Sequence, residues 1–160
     1  MAKHWSEDKA LLDSISGNLY DALPLLPKRL VRLDALTREF AMPFSHIQIL
    51  CVLSEKEMTI GGLSAALGIA KPNITPLIDN LCHAGLIERR RSEADRRIVN
   101  VALTAEGADL SARVRQRIGE QLLAWPQGFS NSDIKRLNNA LSYLIEVARF
   151  LAKAEANPPQ

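Results

Sequence analysis

A short run of polar side chains, at positions 71 to 76, carries the groups that would bind a charged, hydrogen-bonding partner. Asn73 and Thr75 both donate and accept hydrogen bonds, and Lys71 adds a positive charge. Asparagine pairs with an adenine edge in the DNA major groove, lysine and threonine bind phosphate oxygens, and an apolar ring contacts a thymine methyl group. An ordinary solvated helix surface explains the same residues equally well when they are considered alone. The DNA interpretation predicts contacts from Lys71, Asn73, Thr75 and Pro76.

A second group of charged side chains follows at positions 89 to 97. Arginine side chains enter the DNA minor groove, where the negative potential is strongest in narrow tracts. An acidic residue beside them would be unexpected if charge alone mattered, but its carboxylate either orients an arginine or caps a turn. A charged, solvent-exposed hairpin is the competing interpretation. The predicted DNA contacts in this group are Arg91, Asp95, Arg96 and Arg97.

The first polar group lies on an amphipathic helix. Its apolar residues recur at helical spacing, and Gly85 is suited to ending it. Pro76 leaves two possible starts for this helix, one near Lys71 and one with Thr75 as the cap. We favour the earlier start because Ile74 belongs to the same apolar face. That face consists of Ile74, Leu77, Ile78, Leu81 and Cys82.

The second polar group lies on a predicted β-hairpin. Residues 86–90 and 98–103 have the composition of strands, and the polar segment between them forms the tip. Val99, Val101 and Leu103 alternate, as residues on the inward face of a strand do. Helix followed by helix followed by hairpin is the order of a winged helix-turn-helix.

Further helices are predicted on both sides of this unit. Pro24 and Pro27 interrupt apolar residues at helical spacing over positions 6–40, so two helical pieces or one kinked helix are expected. Ser45 with Gln48 suggests a capping box for the next helix, and Thr59 is the expected cap of the helix that Gly68 ends. Cys51 and Cys82 lie on apolar faces and are expected to be buried.

The C-terminal part is expected to form two more helices. Thr104 is the predicted cap of one, and Ser130 with Asp133 forms a capping box for the other. The last helix has apolar residues at alternating spacings of three and four, which is the pattern of a helix that packs against a partner helix. The residues predicted to form this dimer seam are Leu137, Leu141, Leu144, Ala148 and Leu151.

Composition limits the possible functions. A net charge of only +2 over 160 residues excludes a strongly basic nucleic-acid arm, so DNA binding must come from local placement of charge. We find no enzyme motif, no phosphate-binding glycine loop and no metal-ligand spacing, and we therefore expect no catalysis, cofactor or metal. Without a signal peptide or a long apolar run, no membrane partner is expected and a cytoplasmic location is predicted.

These features together resemble the MarR family of bacterial transcription regulators. The segments that carry the resemblance are LGIAKPNITPLIDNLCHAGLIERR and ADRRIVNVALTAEG, with the hairpin pattern formed by Asp95, Arg97, Leu103, Thr104 and Gly107. It extends over about residues 45 to 107. Ala70 departs from the family pattern, because a serine or threonine cap is common there. The resemblance implies that Asn73, Thr75 and Pro76 lie on the recognition helix and that Asp95 steadies the minor-groove arginine Arg97.

The expected fold is mainly α with a small β-hairpin wing, about six helices and an intertwined homodimer. Residues 1–44 and 105–155 are expected to form the dimer, and residues 45–104 the DNA-binding domain. The expected function is a regulator, as a homodimer and chiefly as a repressor, that binds a pseudo-palindromic operator. The resemblance also implies a small-molecule effector, with His46 either lining its cleft or serving a structural role. The alternative is a winged helix that contacts only proteins.

Overall fold

The computed structural model describes residues 8–92, 95, 97–125 and 128–156. The chain divides into two compact units, residues 1–42 and 43–160. In the described part, the first unit contains helix α1 (Lys9–Leu25), a π-helical segment (Leu26–Leu30) and helix α2 (Leu33–Glu39). The second contains α3 (Phe44–Leu53), β1 (Met58–Thr59), α4 (Ile60–Leu67), α5 (Lys71–His83), β2 (Ile87–Arg91), β3 (Val99–Leu103), α6 (Ala105–Leu123) and α7 (Asn131–Ala156).

Proline explains how the first unit is divided. Asp8 caps α1 by accepting a hydrogen bond from the Leu11 N–H at 3.0 Å. Pro27 has no N–H to continue the α-helical ladder, and the Val31 N–H instead bonds to the Leu26 carbonyl oxygen, five residues earlier, at 3.3 Å. Of the two predicted alternatives, two helical pieces or one kinked helix, the structure has separate helices α1 and α2. The interruption expected at Pro24 is wrong, because Pro24 lies within α1.

Capping residues set the limits of α3 and α4. Thr59 caps α4 by accepting a hydrogen bond from the Gly62 N–H at 3.0 Å, and Gly68 ends it with a left-handed φ of 63°, both as predicted. The predicted capping box of Ser45 is wrong. Helix α3 begins at Phe44 with Pro43 as its cap, so Ser45 already has a helical backbone and cannot adopt the extended conformation that a capping residue needs.

The three strands form one antiparallel sheet in the order β1-β3-β2. Strands β2 and β3 make the predicted hairpin, with Ile87 opposite Leu103 and Arg91 opposite Val99. Strand β1 was not predicted, because two residues carry no alternation. The inward face predicted for β3 is correct at Val101, which is fully buried, and wrong at Val99, which is 40% exposed because it lies toward the hairpin tip.

The core of the second unit lies where α3, α4 and α5 pack on the sheet. Leu63 of α4, Ile74 and Ile78 of α5, and Val101 of β3 are fully buried. Burying a leucine, isoleucine or valine side chain stabilises a fold by about 1.5–3 kcal/mol. The apolar face of α5 is thus held in place, which fixes the direction of its polar face. The mainly α fold with a hairpin wing is the predicted fold class.

The described helices do not have the properties of membrane-spanning helices. Among the described residues, none of the helices combines the length and the apolar character needed to cross a bilayer.

Candidate nucleic-acid interface

Helix α5 presents the first predicted group of contact residues. It begins at Lys71, which confirms the earlier of the two predicted starts. Lys71, Asn73 and Pro76 are exposed, and Thr75 is half-buried. Because the cap is Ala70, no side chain occupies the N-terminal end of the helix. A helix N-terminus carries a partial positive charge, which suits a phosphate.

Lys71 has a defined position relative to α4. A Cβ atom added to Gly61 would lie 3.5 Å from the Lys71 Cε atom, so the lysine side chain runs over the first turn of α4 at a glycine. Sequence patterns gave no indication of this contact.

Thr75 and Pro76 have different environments. The Thr75 hydroxyl donates a hydrogen bond to the Lys71 carbonyl oxygen at 2.9 Å, so its oxygen keeps only the capacity to accept further hydrogen bonds. Pro76 lies inside the helix and has no N–H for the carbonyl of Pro72. The helix nevertheless continues to His83, because Ile74 and Ile78 on either side of the proline are fully buried.

The hairpin turn is closed by Asp95. Its carboxylate oxygen Oδ1 accepts a hydrogen bond from the Arg97 backbone N–H at 2.9 Å, and its carbonyl accepts one from the Ile98 N–H at 2.9 Å. Of the two roles considered for this carboxylate, the structure supports the cap of the turn. Asp95 thus positions Arg97 through the backbone. Arg91 and Arg97 are exposed, and Arg96 lies outside the described residues.

Two arginines of strand β2, Arg89 and Arg90, pair with carboxylates of the same chain. Arg89 Nη2 lies 2.6 Å from Asp79 Oδ1, which joins strand β2 to helix α5. Arg90 pairs with Glu88 on the same strand. The Arg89–Asp79 pair joins the hairpin to α5, whereas the Arg90–Glu88 pair lies within β2. Arg91 and Arg97 are exposed at the described end of the hairpin. The Asp79–Arg89 pair was not predicted, since it joins different elements ten residues apart in sequence.

Thr104 joins three elements at the base of the hairpin. Its hydroxyl donates to the Gly85 carbonyl oxygen at 2.7 Å and accepts from the Gly107 N–H at 3.1 Å, which confirms the predicted cap of α6. A Cβ atom added to Gly107 would lie 1.9 Å from the Leu86 carbonyl oxygen. Glycine is therefore required for α6 to approach the segment between α5 and β2.

The residues of the predicted dimer seam lie along α7. Leu141 is 38% exposed, and Leu144 and Leu151 are each 54% exposed. Ala148 is also exposed, whereas Leu137 is half-buried. The predicted capping box of this helix is confirmed, because the Ser130 N–H donates to Asp133 Oδ2 at 2.9 Å and the Asp133 N–H donates to Ser130 Oγ at 3.2 Å. Hydrogen bonds from Ser130 lower the pKa of the Asp133 carboxyl.

Both cysteines differ from their predicted burial. Cys51 is exposed and Cys82 is half-buried. Desolvation by the surrounding protein nevertheless raises the pKa of both thiols, and at Cys82 nearby Arg89 partly opposes this. Among the described residues, no group of three or more histidine, cysteine, aspartate or glutamate side chains has the arrangement of a metal site.

Two polar side chains on α3 and α6 have buried atoms with no hydrogen-bond partner in the described structure. His46 Nε2 is one, and burial lowers the pKa of this histidine. The other residue is Gln121, only 6% exposed, with neither amide atom bonded. Gln121 was missed at the sequence level because it occupies an apolar position of α6. Unbonded buried amides are costly, so this position suits a polar group supplied from outside the chain.

The sequence matches known proteins over its central part. The profile of the MarR family matches residues 42–98. The organic hydroperoxide resistance transcriptional regulator of Bacillus subtilis (strain 168) is 31% identical over 101 residues, which cover 63% of this chain and 67% of that protein. A biofilm growth-associated repressor of Agrobacterium fabrum is 30% identical over 69 residues, covering 43% of this chain and 58% of that protein.

Solved structures share the fold over a longer stretch. The MarR family transcription regulator SP03579 has a TM-score of 0.68 at 24% identity, covering 89% of this chain and 95% of that one. NadR, solved with 4-hydroxyphenylacetate, has a TM-score of 0.65 at 22% identity, covering 83% and 93%. Reduced AbfR, solved bound to DNA, has a TM-score of 0.54 at 20% identity, covering 88% and 98%.

Proposed function

Because this chain belongs to the MarR family, whose members are transcriptional regulators and not enzymes, we propose that it binds double-stranded DNA sequence-specifically and represses transcription. The observation that carries the proposal is the division of α5. Its apolar face is fully buried at Ile74 and Ile78, while Lys71, Asn73 and Pro76 are exposed on the other side. A helix that is locked from behind and polar in front is what major-groove recognition requires.

Helix α5, from here on the recognition helix, enters the major groove. Asn73 contacts a base edge, Thr75 accepts from a base or binds a phosphate, and Lys71 binds a phosphate beside the helix N-terminus. Pro76 contacts a thymine methyl group. These assignments follow from exposure and from the hydrogen-bonding capacity of each side chain.

The hairpin tip binds the adjacent minor groove. Arg97 is held by the turn that Asp95 closes, and it acts with Arg96 and Arg91. Since Arg89 and Arg90 are paired with Asp79 and Glu88, the wing contributes few charges. Affinity therefore depends on placing two copies of the wing on one operator.

A homodimer supplies the second copy. Apolar side chains recur on exposed surface along α1, at Leu11, Ile15 and Leu19, and along α7, at Leu144 and Leu151. Residues 1–44 and 105–155 form the dimer, and residues 45–104 form the DNA-binding domain. Two-fold symmetry then predicts a pseudo-palindromic operator with half-sites about 34 Å apart.

A small molecule releases the dimer from DNA. The supporting observation is that buried polar atoms of His46, on α3, and Gln121, on α6, have no hydrogen-bond partner among the described residues. A ligand with a hydroxyl or carboxyl group would satisfy them. The structurally similar NadR was solved with 4-hydroxyphenylacetate, a molecule that carries both a hydroxyl and a carboxyl group.

The test is titration of the purified protein against a labelled duplex from its own upstream region, at several salt concentrations. Arg97→Ala should weaken binding by about 1–3 kcal/mol and reduce the salt slope by about one for each arginine removed. Lys135→Ala, which removes an equal charge from exposed α7, should change neither. Failure of the unmodified protein to bind the duplex at low salt would contradict DNA binding, and an unchanged affinity in Arg97→Ala would contradict the role of the wing.

A further inference from the structure

The hairpin extends beyond the buried part of its domain. Ile87, at the base of β2, is 2% exposed, whereas the strand is exposed from Arg89 to Arg91. On β3 the same change occurs between Val101, which is fully buried, and Val99, which is 40% exposed. Ile87 and Arg91 are about 13 Å apart at about 3.3 Å per residue, so a tilt of about 10° at the base moves Arg91 by about 2 Å. A displacement of that size breaks a hydrogen bond to DNA.

An ion pair connects this extended part to the recognition helix. Arg89 Nη2 of β2 lies 2.6 Å from Asp79 Oδ1 of the helix. Arg89 is two residues beyond Ile87 on the same face of the strand, so the pair lies farther out than the last buried residue. Among the described residues, no second ion pair joins the hairpin to this helix. The pair is therefore placed where it can fix the tilt of the hairpin.

Asp79 is an unexpected residue for a helix that binds DNA. It is the only acidic residue from Lys71 to His83. It follows Pro76 by three residues, which places it about one helical turn from a proposed base contact. An unpaired carboxylate there would repel the phosphates of a bound duplex. Pairing with Arg89 removes that cost and uses the charge for a contact within the protein.

The Cys82 thiol lies close enough to both members of the pair to be affected by their charges. Burial raises the pKa of this thiol, the Arg89 guanidinium lowers it, and the Asp79 carboxylate raises it. The two side chains of the pair are 40% and 42% exposed. The thiol therefore reports on the pair in protein that has no DNA bound.

We propose that Asp79 and Arg89 are positioning residues for DNA binding, which hold the hairpin at the tilt that lets the recognition helix and Arg97 contact neighbouring grooves of one duplex. The inference rests on the proposed function, because it concerns how the two contact elements of that function are kept in register. Arg89 is directed to the protein and not to a phosphate. The negative charge of Asp79 consequently strengthens DNA binding, which is the opposite of what charge alone predicts.

The first experiment measures the dissociation constant of the full-length protein for its upstream duplex. Asp79→Ala removes a negative charge, so charge alone predicts tighter binding, whereas the positioning role predicts binding about tenfold weaker. Glu88→Ala removes the same charge and frees Arg90 within β2, so it should not weaken binding. Unweakened binding by Asp79→Ala would overturn the positioning role alone. Failure of the unmodified protein to bind would contradict the proposed function, and the positioning role with it.

Exchanging the two charges tests the geometry of the pair. Arg89→Asp places two carboxylates together and should weaken DNA binding about hundredfold, and the further change Asp79→Arg should recover at least tenfold of that loss. The further change Glu88→Arg adds the same charge without an ion pair to the recognition helix, so it should recover far less. Equal recovery by the two second changes would assign the effect to net charge and overturn the proposal.

The Cys82 thiol tests the pair without DNA. The pH dependence of alkylation by iodoacetamide, followed by peptide mass spectrometry, gives the pKa of each cysteine. Arg89→Gln should raise the pKa of Cys82 and Asp79→Ala should lower it, with Cys51 unchanged as the internal reference. The free energy of unfolding in urea should change little in both variants, because an exposed ion pair contributes little to stability. A Cys82 pKa that neither substitution alters would show that the pair does not form in solution, which overturns the proposal.

Discussion

Ile74, Ile78 and Leu81 on the recognition helix are at most 1% exposed, whereas Leu144 and Leu151 on α7 are each 54% exposed. Both helices carry apolar side chains at helical spacing. In the first case the partner surface is α3, α4 and the sheet of the same chain. In the second, no residue of α7 whose burial is described is buried, although the helix has 26 residues. Apolar periodicity thus identifies a buried face without identifying which chain covers it.

The largest effect is expected at the exposed face of α7. Changing Leu141 and Leu144 together to glutamate places charges in the proposed interface, and the dimer dissociation constant should rise at least about a thousandfold, near 4 kcal/mol. Analytical ultracentrifugation measures this directly. Lys135→Glu on the same helix serves as the charge control. A double variant that stays dimeric would show that this face of α7 needs no second chain.

The next largest effect is expected at the start of α6, which packs against another segment of the same chain. Gly107→Ala would bring a methyl group onto the Leu86 carbonyl oxygen, and the free energy of unfolding should fall by about 3 kcal/mol. Gly119→Ala, on the same helix with open space around it, should instead raise that free energy by about 0.5–1 kcal/mol. Urea denaturation distinguishes the two, and similar values for both variants would contradict the close approach.

Substitutions at helix caps test, with smaller expected effects, the difference between a helix packed into the core and the exposed helix α7. Thr59→Ala removes the cap of α4, which is packed into the core, and should lower the free energy of unfolding by about 1 kcal/mol. Ser130→Ala removes the cap of α7, whose exposed end frays locally, so the global loss should be smaller. Equal losses would mean that α7 is as tightly coupled to the core as α4 is.

The smallest effect concerns pH at the start of α7. Hydrogen bonds from Ser130 hold the pKa of Asp133 below its ordinary value of 3.8, so this carboxylate stabilises the folded state above that pH. The contribution is lost as the pH falls through the lowered pKa. Nuclear magnetic resonance titration should show that pKa rising toward 3.8 in Ser130→Ala and staying low in Ser142→Ala. An unshifted Asp133 in Ser130→Ala would exclude the capping box as the cause.

Features determined by a few neighbouring residues could be predicted from the sequence. Thr59, Gly68, Thr104 and the Ser130–Asp133 box act within one helical turn, so their spacing was sufficient. The start of the recognition helix at Lys71 followed from the apolar face alone. The capping box predicted for Ser45 was wrong because Pro43 occupies the capping position, and local sequence allowed either residue as the cap.

Features that depend on distant segments could not be predicted. Met58 pairs with Val101, and Arg89 reaches Asp79 across two elements. The exposure of Cys51 and the burial of Gln121 depend on which neighbouring helix covers each position. At the candidate DNA interface the residue types and the elements were foreseeable, whereas the pairing of Arg89 with Asp79 and of Arg90 with Glu88 required coordinates.

The Thr104 hydroxyl bonds to Gly85, directly after the recognition helix, and to Gly107, in the first turn of α6. Gly107 also packs against the backbone of Leu86, the residue that follows Gly85. A displacement of the first turn of α6 therefore moves the end of the recognition helix with it. In the proposed dimer, we expect a change in the angle of α6 to change the distance between the two recognition helices. We expect such a change to decide whether both half-sites of the proposed operator can be contacted together.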